Sequence, residues 1–301
     1  MPRVKIECPV CGQTIDRQLL ECKDHMVSGE RFSLLSCSHC QFITTDPLPS
    51  EEEMGKYYLA EEYVSHSDTK KGMVNKLYHI IRKRNTKNKL QLVNRQAEKK
   101  GTLLDVGCGT GYFLSVCQSD GWQTEGVEVS DIARGTAEER IAQKIYPSIA
   151  SLLATGKRFD LITLWHVFEH LQDINHSIEA LKSLLNTKGT LVLALPNPAS
   201  YDAAHYQQYW AAYDVPRHLS HFCPATLRTF LEKHDLELIE SYPLRFDAYY
   251  ISMLSEGLKG RGKLTSLLNG FYYGHASNRK ASGSKNYSSV VYVIKRKSAI
   301  C

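Results

Sequence analysis

Leu103-Leu104-Asp105-Val106-Gly107-Cys108-Gly109-Thr110-Gly111 decides the fold. The apolar run predicts a buried strand that stops in a glycine-rich turn, and a helix is expected at once over 112–120, with Gly121 in its C-cap position. Strand, glycine turn and helix N-terminus together let backbone approach a ligand closely. A dinucleotide site asks for G-x-G-x-x-G facing a pyrophosphate. Here the glycines fall as G-x-G-x-G, and Asp105 stands two residues before the first. A carboxylate there repels pyrophosphate and suits a cationic ligand. The competing reading is a generic α/β turn without a ligand. The strands that follow in order count against it.

Composition bounds the rest. A chain of 301 residues, 43% hydrophobic, has room for one large α/β domain and a small appendage. The net charge of +5 is mildly basic, below what a dedicated nucleic-acid binder carries, and argues against a nucleic-acid partner. Residues 1–7 hold no apolar signal region, and no run of about 18 apolar residues predicts a membrane-spanning helix. Nine cysteines in that context point to a reducing, cytoplasmic setting and to metal binding rather than disulfides.

The N-terminus reads as a zinc ribbon over 1–46. Cys8 and Cys11 form one Cys-x2-Cys knuckle, Cys37 and Cys40 the other. Four thiolates fill a tetrahedron, so the zinc is expected to be structural, and its binding supplies on the order of 10 kcal/mol of folding free energy. Cys22, His25 and His39 are the substitutes should one cysteine be misassigned. Residues 47–100 read as a helical linker or lid. Ser50 with Glu51, Glu52 and Glu53 signals a helix start, and Tyr57, Tyr58 and Tyr63 follow. A long basic helix is predicted over 73–97, whose charges form either a solvated face or a contact for an anionic substrate or membrane surface.

The catalytic domain is expected over 101–301. A second strand over 124–129 carries Glu128, about 20 residues past the turn, where α/β nucleotide sites place an acid for ribose hydroxyls. Ser130 and Asp131 cap a helix over 132–140. A third strand is predicted over 144–147, with Ser148 just beyond. The fourth, over 159–165, ends in Trp165-His166-Val167-Phe168-Glu169-His170 at the carboxyl edge of the sheet. A helix over 173–185 and a fifth strand over 189–195 follow. Residues 201–222 read as loop, holding Trp210, Tyr213, Asp214, Arg217, His218 and His221. A helix over 224–234, a sixth strand over 236–242 and a last strand over 287–295 complete the pattern. Between the last two strands, 243–286 is aromatic, basic and too long for a hairpin. It reads as a helical insertion over the substrate mouth or simple packing on the sheet, with 276–285 small and polar enough to move.

The Asp-x-Gly-x-Gly-x-Gly stretch at 105–111 resembles motif I of the class I S-adenosylmethionine-dependent methyltransferases. The resemblance extends over Gly101–Lys295. The catalytic part is similar to the ubiquinone-biosynthesis O-methyltransferases, and the ribbon resembles that of nucleotide-sugar C-methyltransferases. It implies an α/β, Rossmann-like seven-stranded sheet of order 3-2-1-4-5-7-6. It also implies that Asp105, Gly107, Cys108, Gly109 and Gly111 frame the methionine part of S-adenosylmethionine, that Glu128 binds its ribose, that Val129 and Ser148 flank adenine, and that Trp165 and His166 close the pocket.

Methyl transfer is an in-line displacement in which the protein supplies alignment. An acceptor hydroxyl or acidic carbon also needs a base, and the candidates are His170, His166, His218 and His221. Glu169-His170 stands where some of these relatives carry Glu-x-x-Glu-His as a divalent-metal site, with His166 here in place of the first glutamate. Base, metal ligand and structural role stay open for His170. The leading expectation is methylation of a small-molecule acceptor such as a glycan, quinone or lipid-linked intermediate. The alternatives are an rRNA or tRNA methyltransferase and a non-catalytic adaptor that binds S-adenosylmethionine and zinc. Peripheral membrane contact stays open, and the sequence does not speak to oligomeric state.

Overall fold

The structure is a computed structural model that describes residues 6–58 and 73–297, with backbone alone over 73–83. Tyr63 and the middle of the expected linker lie outside the described residues. The chain divides into two compact units: Met1–Tyr63, Phe168–Asn175 and Ala194–Tyr292 form one, and Val64–Val167, His176–Leu193 and Val293–Cys301 the other.

In the first unit, β1 (Ile6–Glu7) and β2 (Thr14–Ile15) pair around the first cysteine knuckle. β3 (Arg17–Lys23), β4 (Arg31–Ser36) and β5 (Ile43–Asp46) form an antiparallel sheet, and the second knuckle lies in the turn between β4 and β5. Ser50 caps α1 (Glu51–Met54) with a full capping box closed by Glu53, and a 3-10 turn over Gly55–Tyr58 follows.

The second unit opens with α2 (Met73–Arg95), whose Leu90 and Val93 reach the core built around Leu103, Leu114 and Trp122. β6 (Thr102–Val106) is buried along its length, as a central parallel strand must be. α3 (Tyr112–Ser119), β7 (Gln123–Val127), α4 (Asp131–Ile141), α5 (Ile149–Leu153), β8 (Phe159–Trp165) and α6 (Ile174–Leu184) follow. β6 pairs in parallel with β7 on one side and β8 on the other. The register sets Asp105 opposite both Gly126 and Thr163.

The chain then runs through β9 (Leu185–Pro196), α7 (Tyr201–Tyr206), β10 (Ser220–His221), α8 (Pro224–Lys233), β11 (Leu236–Pro243), α9 (Arg245–Leu258), α10 (Lys263–Ser284) and β12 (Ser289–Arg296). The central sheet has six strands in the order β11-β12-β9-β8-β6-β7. That is the expected order without its third strand. The stretch expected to supply it contributes one parallel bridge, Tyr146 against Val127. Pro147 has no N–H to extend the ladder, and Ser148 already caps α5.

Residues 201–222 are not a plain loop. They hold α7, two 3-10 turns and β10, which pairs antiparallel with β5, Ser220 opposite Thr44 and His221 opposite Ile43. The stretch expected to move, 276–285, is helical to Ser284.

Arg217 ties this unit together. It is 1% exposed. Its guanidinium donates to Asp24 Oδ1 at 3.1 Å, to Asp214 Oδ1 at 2.6 Å and to the Tyr57 carbonyl at 3.1 Å. Asp24 in turn accepts from the amides of Met26 and Ser28, closing the turn between β3 and β4. The buried charges are thus matched on every side. Against the opposing effect of burial, the Ser28 amide and then the Arg217 guanidinium hold the Asp24 carboxyl below its usual range. Replacing Arg217 with leucine strands Asp24. We expect Arg217→Leu to lose about 3–5 kcal/mol in urea unfolding, with Asp24→Asn losing less; equal stability of Arg217→Leu and the wild type would contradict this.

Candidate cofactor site and histidine cluster

The glycine turn is built by close contacts. Gly107 has φ +69°, and a Cβ there would lie 2.4 Å from Val167 Cγ2, so no other residue fits. The amides of Gly107 and Cys108 both donate to the Val127 carbonyl, at 2.7 and 3.0 Å. Gly111, at φ +75°, is the N-cap of α3 and offers no side-chain cap.

Glu128 closes the turn from the neighbouring strand end. Its carboxylate accepts from the Gly109 amide at 2.8 Å and from the Ser130 amide at 2.9 Å, and it is largely buried. One acid therefore fixes both the glycine turn and the start of α4. Val129, next to it, is 78% exposed. Ser148 Oγ accepts from the Ser151 amide as the cap of α5.

Asp105 is buried beneath the turn, and Thr163 Oγ1 donates to it at 2.6 Å. Burial pushes its carboxyl up to about 7, against the opposing effects of the Thr163 hydrogen bond and the Lys89 ammonium. Lys89 comes from α2, and its Nζ lies 4.4 Å from the centre of the Trp165 ring. Trp165 also meets Phe113 edge-on at 5.6 Å. Its indole N–H is buried with no acceptor among the described residues. Sequence reading placed Lys89 in an undifferentiated basic face, and nothing in the spacing of that run marks which lysine turns inward. His166 takes φ +58° directly after β8.

In the first unit, His170 and His218 meet edge-to-face with ring centres 4.6 Å apart. His170 Nδ1 lies 3.0 Å from the Arg217 carbonyl and 3.0 Å from Tyr58 Oη. His218 Nδ1 lies 2.8 Å from the Ala212 carbonyl. A carbonyl only accepts, so each Nδ1 carries a hydrogen. Glu169, His170 and His218 bring potential metal-ligand atoms within 4.8 Å of one another. Burial and the neighbouring His218 lower His170 to about 4, so it is neutral at pH 7. His221 belongs to β10. It is buried, its Nε2 is 3.5 Å from Thr45 Oγ1, and burial lowers its pKa to about 3.

The four cysteines of the two knuckles also converge. Cys8 and Cys40 Sγ are 3.5 Å apart, Cys11 and Cys37 Sγ 3.6 Å, and all four lie within 4.8 Å. Cys22 instead sits in the apolar core of the unit.

The family described as methyltransferase domain matches residues 78–241, more than half of the chain. The chain belongs to this methyltransferase family. It is 26% identical over 157 residues to a ubiquinone biosynthesis O-methyltransferase of Bartonella tribocorum, covering 48% of this chain and 64% of that protein. It is 29% identical over 161 residues to the protein of that name from Coxiella burnetii, covering 50% and 65%. The chain thus spans just under two thirds of the length of these curated relatives. Magnesium protoporphyrin IX methyltransferase from Synechocystis with bound SAH shares the fold, at a TM-score of 0.53 and 13% identity, over 82% of this chain and all of that one.

The state of Asp105 in this methyltransferase domain has a measurable consequence. The folded chain holds that proton up to about pH 7, whereas the unfolded chain releases it near pH 4. Stability therefore falls as pH rises between those values and stays reduced above them. Asp105→Asn removes the penalty. Its melting temperature is expected to exceed the wild type's at pH 8 and to converge with it near pH 4. A lower melting temperature at pH 8 would contradict the assignment.

Proposed function

We propose that this chain transfers a methyl group from S-adenosylmethionine to a small-molecule acceptor, by O- or C-methylation of a glycan, quinone or lipid-linked intermediate. One observation carries the reading: the Glu128 carboxylate, held by the Gly109 and Ser130 amides, stands beside a glycine turn with the buried acid Asp105 beneath it. The residues fit the cofactor. Glu128 keeps lone pairs for ribose hydroxyls, exposed Val129 offers an apolar face for adenine, with Ser148 as its other flank, and Asp105 is an acid that a cationic ligand would ionise. Gly107, Cys108, Gly109 and Gly111 supply the backbone for the methionine part, and Trp165 and His166 line its far end. The bound cofactor supplies an activated methyl group. The names of the curated relatives favour oxygen as the acceptor atom.

His170 is the proton acceptor in this reading. Its Nδ1–H is spent on the Arg217 carbonyl, which leaves Nε2 for an acceptor hydroxyl. It is unprotonated down to about pH 4, so Nε2 can accept a hydrogen bond through the physiological range, and as a weak base it takes the full proton only as the new methyl–oxygen bond forms. His218 and Tyr58 position it, and His221 supports the strand behind.

A second reading rests on the 4.8 Å grouping of Glu169, His170 and His218, which suits a divalent cation. Both histidines are oriented through Nδ1 by backbone carbonyls, as metal-ligating histidines are. The ribbon, for its part, is a structural zinc site. A tetrahedron of zinc–sulfur bonds has edges of about 3.8 Å, close to the 3.5 and 3.6 Å between its thiols.

Calorimetric titration with S-adenosylmethionine and its demethylated product tests the reading. We expect the wild type to bind both and Glu128→Gln to bind at least about tenfold more weakly, the scale of a lost charged hydrogen bond. No binding to the wild type would overturn it. Dialysis against a chelator, followed by elemental analysis, separates the metal sites. Zinc held by the ribbon should resist mild chelation and fall in Cys37→Ser. Methyl transfer restored by added magnesium or manganese would assign His170 to a metal; transfer unaffected by chelation would assign it to the base.

A further inference from the structure

α10 is built inside out. Leu264, Leu267, Leu268, Phe271 and Tyr272 are between 54% and 70% exposed. Their spacing of 3, 4, 7 and 8 residues from the first sets them on one face. The buried face is made of small residues, among them Ser266, Gly270 and Gly274. It packs on α9 so closely that a Cβ on Gly270 would lie 2.6 Å from Met253 Cα. An amphipathic helix in water turns its large apolar side chains inward. Here small residues face in beside Tyr273, which stacks on His205, and five large apolar ones form a stripe of about 12 Å along the helix. Stripes of this kind mark contact surfaces.

Charge identifies what the stripe meets. From Ala248 to Ser288 the chain carries Lys259, Arg261, Lys263, Arg279, Lys280 and Lys285, and a single carboxylate, Glu256. Glu256 is buried and engaged by Arg261 and Asn269. Lys259, Arg261 and Lys263 are exposed at the turn that leads into the stripe. A second copy of this face would bring like charges together. A phosphate backbone matches the cations and leaves the leucines without a counterpart. A bilayer rich in anionic lipid takes both, with the apolar side chains at the acyl boundary and the cations among the headgroup phosphates. No helix among the described residues is long and apolar enough to cross a membrane, so the contact is interfacial.

We propose that the hairpin of α9 and α10 docks on an anionic lipid surface through the Leu264–Tyr272 stripe and the cations of its turn. This inference does not rest on methyl transfer.

Co-sedimentation of the full chain with phosphatidylcholine vesicles, with and without phosphatidylglycerol, tests it. The expected result is binding to the phosphatidylglycerol vesicles several-fold above that to pure phosphatidylcholine. It should weaken as salt shortens the Debye length, and both Leu267→Ser with Phe271→Ser and Lys259→Ser with Lys263→Ser should abolish most of it. All these positions are exposed, and circular dichroism should show the fold unchanged. No binding of the wild type to phosphatidylglycerol vesicles would overturn the proposal. So would a wild-type dimer in sedimentation velocity that Leu267→Ser with Phe271→Ser turns into a monomer, or binding to RNA that those two changes leave intact.

Discussion

The carboxylate of Glu128 is the point on which the candidate cofactor site depends. It accepts two backbone N–H groups, from Gly109 in the glycine turn and from Ser130 at the start of α4. Those groups come from two strand ends that the parallel pairing of β6 with β7 brings side by side. The turn can tighten this far because residue 107 has no Cβ to meet Val167. Beneath it, burial pushes the Asp105 carboxyl up to about 7 while a threonine hydroxyl donates to it. The site thus holds one acid at its edge bonded to backbone donors and another shielded below, an arrangement suited to a ligand that is polar at one end and cationic at the other.

A different charge organises the other unit. Arg217 gathers the β3–β4 turn, the 3-10 turn at Tyr57 and the segment around Asp214. Its own carbonyl then receives His170 Nδ1. The residue that locks the ribbon sheet to the 211–221 segment is therefore the one that sets the tautomer of the candidate base. A buried ion pair is a poor source of stability in itself. Here it fixes geometry, because Arg217 joins three chain segments that an apolar side chain would leave unbonded.

What was legible in the sequence follows a physical divide. β6 and β8 are short apolar runs buried almost throughout, and such runs announce themselves, whereas β7, half-buried at the end of the sheet, was legible through its place after the glycine turn. The cysteine knuckles do so too, because paired cysteines with two residues between them have few other uses. The sheet order came with the family resemblance and holds except at the third strand, where Pro147 and the Ser148 cap leave room for a single bridge. Residues 201–222 were opaque because β10 has its partner in β5, some 175 residues upstream, and no local pattern encodes such pairing. Glu169 and His170 stood out by position, whereas His218 joins them only through the fold. The inverted face of α10 was visible as composition, aromatic and basic, but which side faced out needed the structure.

A crystal structure of the chain with S-adenosylhomocysteine tests the central claim most directly. The account predicts the ribose hydroxyls on the Glu128 carboxylate, the adenine against Val129, and the amino-acid end over the turn between Asp105 and Gly111. The ligand bound elsewhere, or a turn left empty at saturating ligand, would contradict it.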